Sequence, residues 1–122
     1  MTNSVPTGTQ SLEKSMEINP LKATNYIMET APKFAQAKAN RVFIEGYIKT
    51  VKSRLMNEEV GTLGHKESYA QAHPDYVAQL EALRTATEEE ERLKFMLVAA
   101  QAKVEIWKTL EYTKRAELKN LG

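Results

Sequence analysis

No cysteine occurs in this chain. That excludes a disulfide framework and any thiolate metal centre, and it agrees with a reducing compartment. Proline is scarce, at positions 6, 20, 32 and 74 only, so helix-breaking chemistry is confined to a few places. Aromatic side chains make up 7% of residues, with Trp107 the single tryptophan. No apolar run approaches the roughly 20 residues that span a bilayer. The first 18 residues, polar and carrying Pro6 and Gly8, lack the apolar core of a signal peptide. The expectation is a soluble protein of the cytoplasm with no membrane contact.

Chemical motifs are missing as well. There is no glycine-rich phosphate loop, no dinucleotide turn, no serine elbow and no cysteine nucleophile. The two histidines, His65 and His73, lie near Glu67 and Asp75, yet that spacing matches no metal-ligand motif. A protein with no catalytic residue, no metal and no cofactor is expected.

What the chain does have is helical periodicity. Residues 1–18 read as a disordered tail. Asn19 then offers an N-cap and Pro20 suits the first helical position, where a missing N–H costs nothing. Leu21, Ile27 and Met28 give a short helix over 20–30 that Pro32 ends, because a residue before proline avoids helical geometry. A second helix is expected over 32–60, with Phe34, Ala37, Arg41, Ile44, Ile48, Val51 and Leu55 repeating at intervals of three and four. Gly46 inside it costs about 1 kcal/mol against alanine, and a tolerated or closely packed position explains it better than a hinge. "GTLGH" interrupts at residues 61–65, and one or two helical turns follow before Pro74. The last helix, expected over 74–119, has two interleaved series. Tyr76, Leu83, Glu90, Leu97 and Val104 form one, and Ala86, Leu93, Ala100 and Trp107 the other. The fold class expected is all-α: an elongated antiparallel helical hairpin, coiled-coil-like, with a short N-terminal helix, in one domain over 19–122.

Charge is sorted along this hairpin. From Lys33 to Met56 six bases stand against one acid, a net +5; from Asp75 to Glu91 six acids stand against one base, a net −5. Setting Glu58 opposite Pro74 places Arg41 against Glu91 and its neighbour Glu90. The four consecutive glutamates, Glu88 to Glu91, are therefore expected to complement the basic helix, with Arg41, Glu90 and Glu91 as a register-setting polar layer. The other charges would form flanking pairs. The short first helix is expected against the C-terminal half of the last, with Tyr26 and Ile27 near Val104 and Trp107. Trp107, Leu110, Tyr112 and Leu118 lack cover in this arrangement and are expected to form a protein interface, with homo-oligomerisation as the economical use. Direct DNA binding is the alternative, through Lys38, Lys49 and Lys52 with Lys108, Lys114 and Arg115. Neutralisation by the acidic helix is preferred over it.

Two stretches carry a resemblance: "NPLKATNYIMETAPKFAQAKANRV", residues 19–42, and "AHPDYVAQLEALRTATEEEERLKFMLVAAQAKVEIW", residues 72–107. With their Ala-Pro-Lys-Phe-Ala segment, Ala-His-Pro turn, acidic run and Ala-Ala-Gln-Ala…Trp tail, they resemble small uncharacterised helical proteins of tailed phages and prophages. The resemblance covers about half the chain and leaves out residues 1–18. Such proteins are often encoded in early regions beside recombination and replication functions. The resemblance implies a non-catalytic phage accessory protein acting in the host cytoplasm. It would work by contact with a phage or host protein of DNA metabolism or defence. No functional residue is carried over.

Overall fold

A computed structural model describes residues 17–121. Among these the chain is all-helical, with three helices: α1 over Pro20–Glu58, α2 over Leu63–Ala72 and α3 over Pro74–Leu121. None is long and apolar enough to cross a membrane. Except for residues 17 and 18, the tail expected over 1–18 lies outside the described residues.

Side-chain caps fix where the helices begin. Asn19 Oδ1 accepts from the Lys22 amide at 3.1 Å, with Pro20 in the first turn. Thr62 caps α2 by accepting from the His65 amide at 3.2 Å. His73 performs the same task for α3: its Nδ1 accepts from the Asp75 amide at 3.0 Å, across Pro74 at the first helical position. Asp75 adds a negative charge where the helix dipole favours one. Gly61, at φ 141°, makes the turn that ends α1, and a Cβ there would come within 2.9 Å of the His65 ring.

The first two expected helices are one. Pro32 lies inside α1, which runs unbroken through the expected stop at residues 30–32. Proline removes one helical hydrogen bond, leaving the Met28 carbonyl without its donor. Both Pro32 and Met28 are solvent-exposed, so water can satisfy that carbonyl. Thr30 and Phe34, on either side, are buried and half-buried respectively, and their packing holds the helical path. The short helix of the fold is instead α2, which continues for 10 residues where one or two turns were expected.

Burial follows a strict four-three repeat along both long helices. On α1 it takes Ala23, Ile27, Thr30, Phe34, Ala37, Arg41, Ile44, Ile48, Val51 and Leu55; on α3, Tyr76, Gln79, Leu83, Ala86, Glu90, Leu93, Leu97, Ala100, Val104 and Trp107. That repeat is the seam of a coiled coil. The described residues divide into two compact units. In the larger, residues 29–97, the core is Val51, Leu55 and Ala70, with Met56, Tyr69 and Tyr76 packed against it. All three helices meet there. Arg41, two heptads before Leu55, bonds to Glu90, two heptads after Tyr76, so α1 and α3 run antiparallel in this unit. The smaller unit joins residues 17–28 to 98–121. Ala23 and Ala100 are buried in it, and Tyr26, Ile27, Val104, Trp107 and Leu110 are half-buried.

Candidate interaction surfaces

The seam of the larger unit carries one charged layer. Arg41 donates from Nε to Glu90 Oε2 and from Nη2 to Glu90 Oε1 at 3.2 Å, a two-pronged contact, while Nη1 reaches Glu45 at 2.8 Å. Glu90 is only 7% exposed. The Arg41 hydrogen bonds hold its carboxyl below the usual carboxylate range against the opposing effect of burial, and they raise the guanidinium in turn. Glu91 is half-buried beside this layer.

The remaining charges depart from the expected flanking pairs. Glu81 and Glu88 flank Arg84 on their own helix at 3.8 and 3.6 Å, and Glu89 binds Arg92 at 2.7 Å. The geometric reason is proximity: residues three and four apart on one helix are neighbours, whereas off-seam positions on paired helices point away from each other. Arg41–Glu90 is the one Lys or Arg pair among the described residues that joins α1 to α3. Lys33, Lys38, Lys49, Lys52 and Arg54 have no carboxylate within ion-pair distance. The basic side of α1 is open to counter-ions or ligands. At the C-terminal end, by contrast, Lys108 pairs with Glu105 at 3.3 Å and Lys114 with Glu111 at 3.7 Å, leaving Arg115 unpaired.

An aromatic pair lies off the seam of α1. Phe43 and Tyr47, one turn apart, stack with centroids 5.9 Å apart and planes at 8°. Phe43 is 68% exposed. Gly46 sits beside them with nothing within 4 Å of where a Cβ would stand. The pattern signals that pair: two aromatics at i and i+4 that miss the apolar repeat cannot both serve the core.

Comparison with protein-family models, curated proteins and solved structures returned no match. The surfaces therefore have to be read from their own chemistry.

Among the residues expected at a protein interface, Trp107 and Leu110 are half-buried within the smaller unit, while Tyr112 and Leu118 are exposed. Leu118 and Leu121 continue the α3 seam in register, and they are 69% and 84% exposed. The seam thus ends open. His65 and His73 have local roles: His65 Nε2 lies 3.4 Å from Glu59, and His73 caps α3 and meets Tyr69 edge-on at 5.7 Å. Among the described residues no three metal-binding side chains converge.

Proposed function

We propose that this chain is a non-catalytic accessory protein that acts by protein–protein contact, and that the open end of the α3 seam is where a partner engages. The observation that carries this reading is the exposure of Leu118 and Leu121 at heptad positions that elsewhere on α3 are covered. A partner helix completing the seam would bury both leucines, with Tyr112 beside them, in the manner of an amphipathic helix lying along an apolar stripe. The resemblance to phage and prophage proteins, which rests on residues 19–42 and 72–107, supports a phage or host protein of DNA recombination, replication or defence as that partner, met in the host cytoplasm. The test compares affinity captures from phage-infected cells using the intact chain and a Tyr112→Ala, Leu118→Ala variant. One protein held by the first and lost by the second is expected. Identical captures would overturn the assignment.

A second reading, binding of nucleic acid, is favoured by a different observation: Lys38, Lys49 and Lys52 on α1 are unpaired, and the Phe43–Tyr47 stack is exposed on the same helix. Lysines supply phosphate contacts and exposed aromatics supply stacking platforms for bases. Gel shifts across a salt series decide it, since three phosphate contacts on duplex DNA require a log–log slope of about −3. Replacement of the three lysines by alanine should flatten that slope. A salt-independent shift would exclude the reading.

A further inference from the structure

α3 is one uninterrupted helix, and between Phe95 and Trp107 only Gln101, Lys103 and Glu105 are polar. A helix that is apolar all round needs cover on more than one side. The seam accounts for Leu97, Ala100, Val104 and Trp107. The opposite side presents Phe95, Ala99, Ala102 and Ile106, which repeat at four, three and four, the spacing of the seam itself. Phe95 is 63% exposed, Ala99 and Ala102 are exposed and Ile106 is half-buried.

We propose that this second stripe binds a second copy of the same chain, antiparallel, about a two-fold axis level with the Ala100–Gln101 peptide. The inference stands apart from the partner proposed above, which uses another part of α3. Its ground is self-complementarity. A two-fold interface requires that residue i meet residue j and j meet i. Phe95 lies as far before the Ala100–Gln101 midpoint as Ile106 lies after it, and Ala99 as far before as Ala102 after. Antiparallel docking therefore sets each Phe95 against the second copy's Ile106 and each Ala99 against the second copy's Ala102. Large side chains meet at both ends and small ones in the middle, where the two helix axes can approach to the short end of the usual 8–10 Å range.

Charge agrees with this register. Lys94 and Glu105 flank the stripe on the same side at nearly equal distances from the midpoint, so the copies contribute two Lys94–Glu105 pairs. Arg92, at the stripe's edge, is engaged with Glu89 on its own helix, which gives a polyanion little reason to prefer this side. The stripe is about 18 Å long at 1.5 Å per residue. That falls short of a standard interface of roughly 800 Å² per partner, so the pairing belongs to the reversible, micromolar class.

The test uses the full chain. Sedimentation over a concentration series should show a monomer–dimer equilibrium. Ala102→Glu, on an exposed position, should raise the dissociation constant on the order of tenfold or more by placing a carboxylate at the centre, with helicity unchanged. Because the chain has no cysteine, register can be read by cross-linking. Under oxidation, Phe95→Cys chains mixed with Ile106→Cys chains should form disulfide heterodimers, while either variant alone should not. A wild-type chain that stays monomeric throughout would overturn the proposal, as would Phe95→Cys chains that link to each other, the signature of a parallel pair.

Discussion

At the scale of the residue, two positions separate conformational cost from packing need. Gly46 and Gly61 are both glycine for different physical reasons. Gly61 has a positive φ and the His65 ring against it; Gly46 is helical and borders open space. Gly46→Ala is therefore expected to stabilise the chain by about 1 kcal/mol, and Gly61→Ala to destabilise it, as urea unfolding would show. Arg41 and Glu90 form the second residue-scale case. Removing either partner strands the other in the seam, so Arg41→Leu and Glu90→Leu should each lower the melting temperature, and the double variant should recover most of the loss. A double variant as unstable as the worse single one would separate the pair. The sign of the pH effect follows from the lowered Glu90 pKa. A carboxyl depressed in the folded state adds stability above its unfolded value, about 4.3, and that contribution is lost as pH falls through the folded value. The acid-side slope of stability should accordingly be shallower in Glu90→Gln than in the wild type. Arg41, raised from an already high value, titrates far outside this window. This layer was legible in the chain because a lone base and a lone acid each occupied a seam position. The Phe43–Tyr47 stack, off the seam, was passed over.

At the scale of the element, the seams of α1 and α3 and the caps at Asn19 and His73 could be read directly, since heptad spacing and cap chemistry are local properties. Pro32 could not. The rule that a helix stops before proline weighs one lost hydrogen bond and one steric clash, but it knows nothing of Thr30 and Phe34 packing on either side. Tertiary contact outweighed local preference. The consequence is testable: Pro32→Ala should restore the hydrogen bond to Met28 at an exposed position and add stability, up to about 3 kcal/mol. Amide exchange should slow for residues 28–32 of α1. An unchanged stability would mean that the helix already compensates for the missing donor. The α2 helix was underestimated for a related reason. Its sequence has Gly64 in the first turn and little apolar periodicity of its own, and it is held by Ala70, Tyr69 and the Thr62 cap. The charge pattern misled in another way, because net charge per segment does not specify which face of a helix each side chain occupies.

At the scale of the molecule, a net charge of +1 conceals two unlike compact units. The unit of residues 29–97 contains the largest fully buried side chains, Val51 and Leu55, and the Arg41–Glu90 layer. The unit of 17–28 with 98–121 has Ala23 and Ala100 as its buried hydrophobic residues, and alanine offers little apolar area to withdraw from water. Stability should therefore be uneven. Amides of α3 beyond Val98 are expected to exchange through local opening, with little dependence on urea, while those of residues 44–55 and 83–93 exchange only on global unfolding. Leu55→Ala provides the decisive perturbation. Leu55 is 1% exposed, so its truncation should cost about 2–5 kcal/mol and reduce protection throughout residues 29–97 by a common factor. The exchange rates beyond Val98, already set by smaller openings, should change little. If protection falls equally in both groups, the chain opens as one cooperative body, and the weak packing around Ala23 and Ala100 contributes more than its area indicates.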